Sequence, residues 1–173
     1  MPLMGTPGTM PGNSGPETDP PGRFTLACDL FRAGLLDEAY RIFSSLMNAA
    51  PPPALLANLA LCHMEAGLWD GAVPLLENAL AGVKRIPGGA ALPGDSVAAA
   101  LAKKSGNSLG YRLPLAENAG TLAPDCTRDI LQRLLIDCCA ELEDWERVRA
   151  IGSALSGKNY ANVEAALAKA GNR

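Results

Sequence analysis

Residues 24–46, FTLACDLFRAGLLDEAYRIFSSL, and residues 56–80, LANLALCHMEAGLWDGAVPLLENAL, decide how the rest of the chain is read. Phe24, Ala27, Cys28, Leu30 and Phe31 recur at the three- and four-residue steps of one helix face. Gly34 follows, where a residue without a Cβ lets the chain turn left-handed and end the helix. A second helix starts near Asp37 and carries Ala39, Ile42, Phe43 and Leu46. Pro51, Pro52 and Pro53 stop it, because proline lacks the backbone donor and disfavours helix in the residue before it. A third helix is expected from about Ala54 to Glu65, broken at Gly67, and a fourth from about Asp70 to Val83, with Pro74 near its first turn.

The two helix pairs are copies of one another. Leu26 and Leu59, Ala27 and Ala60, Gly34 and Gly67, Ala39 and Ala72, and Phe43 and Leu76 each stand 33 positions apart by subtraction. A fixed period with small residues at fixed places marks a repeat in which each hairpin buries its apolar face against the next.

At these positions the chain resembles the tetratricopeptide repeat family, whose motif runs through a large residue, Leu-Gly/Ala, Tyr, Gly, a small Ala, an aromatic or Leu, a later Ala and Pro. The first copy supplies Leu26-Ala27, Gly34, Ala39, Phe43 and Pro51; the second supplies Leu56, Asn58-Leu59-Ala60, Gly67, Ala72, Leu76 and Ala79. Leu30 and His63 stand at the usual Tyr place, Leu46 replaces the later Ala of the first copy, and the second copy lacks its Pro. The resemblance implies an all-α fold of antiparallel hairpins stacked as a short right-handed array with a C-terminal capping helix. Alanine at positions 39 and 72 fits, since only a small side chain lets two crossing helices approach closely.

Around this nucleus the chain divides into a tail over 1–22, two hairpins over 23–83, an irregular insert over 84–125, and a third, degenerate hairpin with a capping helix over 126–173. The tail is rich in Pro and Gly, lacks apolar periodicity and is read as disordered. The insert contains IPGGAALPGD and LGYRLPLAENAG, with one short helix expected over 95–104. Its length points to a flap over a groove, an arm gripping a second subunit, or disorder. Helical period returns with Ile130, Leu131, Leu134, Leu135 and Cys138, then Val148, Ile151 and Leu155; placing Leu59-Ala60 on Leu135-Ile136 makes this a third copy offset by 76 positions. The last helix, about Asn159 to Ala170, shows Val163, Ala166, Leu167 and Ala170 on one side.

Composition narrows the function. The chain of 173 residues is 48% hydrophobic, enough for a core, and its formal charge of −3 carries no basic excess. Nucleic-acid binding rests on phosphate neutralisation by Lys and Arg and is not expected. No basic, apolar, small-residue series opens the sequence, and no stretch approaches the roughly 18 apolar residues of a membrane helix. Five cysteines, an odd count without a secretory signal, favour reduced thiols and a cytoplasmic location.

In the family the first helix of each repeat lines a concave groove. The resemblance therefore places Phe24, Thr25, Cys28, Phe31 and Arg32 there from the first copy, Asn58, Leu61, Met64 and Glu65 from the second, and Arg133, Leu134, Asp137 and Glu141 from the third. A Phe, Leu and Met stripe suits an apolar or amphipathic segment of a partner protein, although Phe31 and Leu61 read equally well as core. Some family members clamp a C-terminal carboxylate with Lys, Asn and Arg; Asn58 fits one such position, but Phe24, Cys28, Ile130 and Leu134 stand where the others are needed. Catalysis finds little footing. His63 is the only histidine, Cys138-Cys139 lack metal or redox spacing, and no phosphate-loop, dinucleotide or HExxH motif occurs. No cofactor is implied.

The expected function is thus a protein-binding module, an adaptor or chaperone, of bacterial style; small acidic tetratricopeptide chaperones of type III secretion are similar in size and charge. The rivals are a homodimer closed over the same groove, and an enzyme sited in the insert, where Tyr111 and Arg112 form the notable polar pair.

Overall fold

The computed structural model describes residues 20–84, 104 and 106–172. All regular structure among them is helical. The first four helices are α1 (Pro20–Arg32), α2 (Leu36–Ser45), α3 (Pro53–Glu65) and α4 (Trp69–Gly82); a 3-10 turn (Leu109–Arg112) and the single turn α5 (Ala119–Leu122) lead into α6 (Pro124–Glu141), α7 (Trp145–Ala154) and α8 (Ala161–Gly171). Residues 20–22, read as tail from the sequence, form the first turn of α1, where a proline has no helical bond to lose. The rest of that tail and nearly all of the helix expected over 95–104 lie outside the described residues.

Three corners share one geometry. Gly34, Gly67 and Glu143 have φ of 82°, 74° and 56°. The next N–H in each case reaches back to the carbonyl five residues earlier: Leu35 to Leu30 at 2.9 Å, Leu68 to His63 at 2.9 Å and Asp144 to Cys139 at 2.8 Å. This pair of features satisfies carbonyls that the helix end would otherwise leave open. Glutamate accepts the left-handed conformation at a steric cost that glycine avoids, so the third corner keeps the turn without the residue that announces it.

Packing carries the repeat further. Ala39, Ala72 and Val148 occupy matching positions and are all fully buried. Four residues on, Phe43 and Leu76 are fully buried, while the third hairpin has Gly152. A Cβ there would come within 2.7 Å of Leu167 Cδ2, because α8 lays its own leucine where the first two hairpins carry a large residue of theirs. The helices touch in sequence, α1 on α2, α2 on α3, α3 on α4, α4 on α6, α6 on α7 and α7 on α8. α3 is the most enclosed, with every residue from Ala54 to Cys62 buried, as expected of a helix that is apolar all round. Pro74 lies inside α4; the carbonyl it leaves unbonded, that of Asp70, belongs to an exposed residue that water can serve.

Candidate functional site

The helix faces assigned to a groove are covered by the chain itself. Residues 113–116 run without helix over α1 and α3, held open by Pro114, which cannot continue a helix. Asn58, fully buried at the middle of α3, clasps the main chain of this segment on both sides: Nδ2 donates to the Leu115 carbonyl at 3.0 Å, and the Leu115 N–H donates to Oδ1 at 2.8 Å. The Cys28 thiol adds a donation to the same carbonyl at 3.7 Å, and Arg32 Nη2 reaches the Pro114 carbonyl at 3.4 Å. Leu115 is buried at 9% exposure, whereas Leu113 stands out at 51%. Beside this segment a pocket of about 540 Å³ stays open between α1, at Phe24 and Thr25, and the stretch from Ala116 to Thr121.

Of the nine residues singled out in the first two repeats, Cys28, Arg32 and Asn58 converge on the main chain of Pro114 and Leu115. Phe24, Phe31, Leu61 and Met64 are buried in the core, Phe24 edge-on to Phe43 with ring centres 5.6 Å apart. Glu65 borders a different pocket, between α2 and α3, with Tyr40 and His63. His63 Nδ1 is buried there without a hydrogen-bond partner among the described residues.

The third hairpin meets the insert through charge. Asp137 of α6 takes hydrogen bonds from Tyr111 Oη at 2.6 Å, from Arg112 Nη2 at 2.7 Å and from Asn162 Nδ2 at 2.9 Å. One turn away, the Arg133 guanidinium lies between the rings of Tyr111 and Tyr160, 3.8 Å and 4.4 Å from their centres. It donates from Nε to Asn162 Oδ1 at 2.9 Å and from Nη2 to the Gly106 carbonyl at 3.1 Å. Asp129 accepts from Lys158 Nζ at 2.6 Å and from Tyr160 Oη at 2.7 Å. Arg133 and Asp137, expected in the groove, thus bind the insert and α8. Burial first, and then the bond to Asp137, push the Tyr111 phenol up to about 12, away from the ionised form that base or nucleophile chemistry requires.

Burial also raises the thiols, Cys28 to about 11 and Cys62 and Cys138 to about 12, and it raises Cys139 as well. Cys126 alone of the five is exposed. Among the described residues no group of three His, Cys, Asp or Glu side chains could hold a metal ion, and no helix is long and apolar enough to cross a membrane.

Sequence reasoning did not foresee Leu115, Asp129, Lys158, Tyr160 or Asn162 in these sites. Pro114 between two leucines was the available signal for an extended segment; nothing in the spacing of α8 marks its tyrosine and asparagine as partners of α6. No family model, curated protein or solved structure matches the chain.

Proposed function

We propose that the chain is a protein-interaction module, an adaptor or chaperone of tetratricopeptide-like hairpins in a right-handed stack, that holds an extended apolar or amphipathic segment of a partner across α1 and α3. The observation that supports this reading is the two-sided clasp of Asn58 on the Leu115 main chain. A buried amide that pairs with the N–H and the C=O of one residue recognises extended backbone, while the buried Leu115 side chain anchors the segment there, and a fully unpaired Asn58 would cost about 1–3 kcal/mol. The insert keeps the site dry and satisfied until a partner segment with a small apolar residue at the Leu115 place displaces it. A second reading has the same segment from another copy in the groove, giving a homodimer; it is favoured by the occupant belonging to the chain itself.

The test opens the groove. Residues 113–117 are replaced by a Gly/Ser stretch of equal length, and a fluorescent peptide of residues 109–119 is added in trans. Anisotropy is expected to show binding in the micromolar range to the opened variant, at least about tenfold weaker binding to wild type, and none when Asn58→Ala is added. An opened variant that is helical by circular dichroism yet ignores the peptide would overturn the reading. Light scattering that finds wild type dimeric and the opened variant monomeric would favour the second.

A further inference from the structure

A separate pocket lies between the 3-10 turn, α6 and the segment that leads into α8. It measures about 670 Å³, and its walls include Tyr111, Cys126, Asp129, Ile130, Arg133, Lys158 and Tyr160. Arg133 is only 5% exposed, yet no carboxylate among the described residues pairs with it. The two carboxylates nearby are already engaged. Asp137 is bonded to Arg112, Tyr111 and Asn162, and Asp129 to Lys158 and Tyr160. Among the described residues three cations thus share two carboxylates, leaving one positive charge over. The hydrogen bonds of Arg133 run from Nε and Nη2, so Nη1 has no partner among the described residues.

A guanidinium enclosed without a paired carboxylate is costly, because Asp137 and Asp129 act on it only through space while each is bonded to another cation. Flanking tyrosine faces recover part of that cost through cation–π attraction, but they carry no charge. An anion reaching Nη1 would supply it. The remaining wall is mostly apolar surface, from Ile130 and the tyrosine rings, beside the Lys158–Asp129 ion pair, and the spare charge is one. We infer that this pocket binds a small organic monocarboxylate, its carboxylate on the Nη1 edge of Arg133 and its apolar body against Ile130 and the rings. This site is independent of the groove and of whatever fills it.

Cys126 provides the readout. It is the exposed thiol of the chain and forms part of the pocket wall, so its alkylation by iodoacetamide reports occupancy. The full-length protein is titrated at pH 8 and constant ionic strength with phenylacetate, with the neutral isostere phenylacetamide, and with inorganic phosphate. Phenylacetate is expected to slow alkylation saturably, with half-protection near about 1 mM as befits a ligand of this size, while the amide and phosphate give at least about tenfold weaker protection. In Arg133→Lys, which keeps the charge and loses the fork, protection by phenylacetate should weaken at least about tenfold. Wild-type thermal unfolding supplies a measurement that needs no variant: phenylacetate should raise Tm more than phenylacetamide at equal concentration. Equal effects of acid and amide, stronger protection by phosphate, or no protection at all would each overturn the assignment.

Discussion

Around Ala39 and Ala72 the helices of the first two hairpins close on one another through methyl groups, and the large residues Phe43 and Leu76 fill the space alongside. Around Arg133 the third hairpin and α8 are joined instead by a polar lattice of two tyrosines, two aspartates, an asparagine and three cations. The repeat geometry is common to both regions, down to the left-handed corner residue, but what fixes the neighbours differs. In the first region shape alone selects the partner helix. In the second, hydrogen bonds select it, because the element that packs there includes an insert of irregular backbone whose polar groups need partners.

The sharpest way to break this contrast is to hollow the first region. Phe43→Ala removes a fully buried ring that leans on Phe24, and urea unfolding should show a loss of about 3–5 kcal/mol. A loss under about 1 kcal/mol would mean that the hairpins are not held by this packing. The second region answers to charge. Asp137→Asn keeps the volume but cannot accept equally from Tyr111, Arg112 and Asn162. A loss of about 2 kcal/mol is expected, accompanied by a changed near-ultraviolet tyrosine signal, and an unchanged spectrum would show that the lattice does not order the rings. The smallest effect tests what the regions share. Glu143→Gly relieves a left-handed glutamate at φ 56° and should stabilise the protein by about 0.5–1 kcal/mol. The same urea titration checks it, and a destabilisation would show that the third corner is not equivalent to those at Gly34 and Gly67.

Legibility follows the same divide. The helices of the first two hairpins could be read to within a few residues, because apolar spacing and the glycines at 34 and 67 act locally and need no knowledge of neighbours. The third hairpin was legible through Leu135-Ile136 and obscured at its corner, where Glu143 takes a glycine's conformation. Asn58 was identified among the groove residues, yet its partner was not, since Leu115 lies far along the chain and meets it through main-chain atoms that carry no residue signature. Phe31 and Leu61 fit both a groove and a core in sequence; their burial became evident only with the covering elements in place.

By itself, then, the sequence determined that the chain is helical, where the first four helices turn, and that its hairpins repeat, since periodicity, capping glycines and small crossing residues are local properties. Tertiary structure decided that the insert lies against α1 and α3 and that Arg133 is stacked between two tyrosines from distant segments. These depend on irregular backbone finding buried polar partners, and hydrogen-bonding capacity alone does not say which donor will meet which acceptor until the chain has folded.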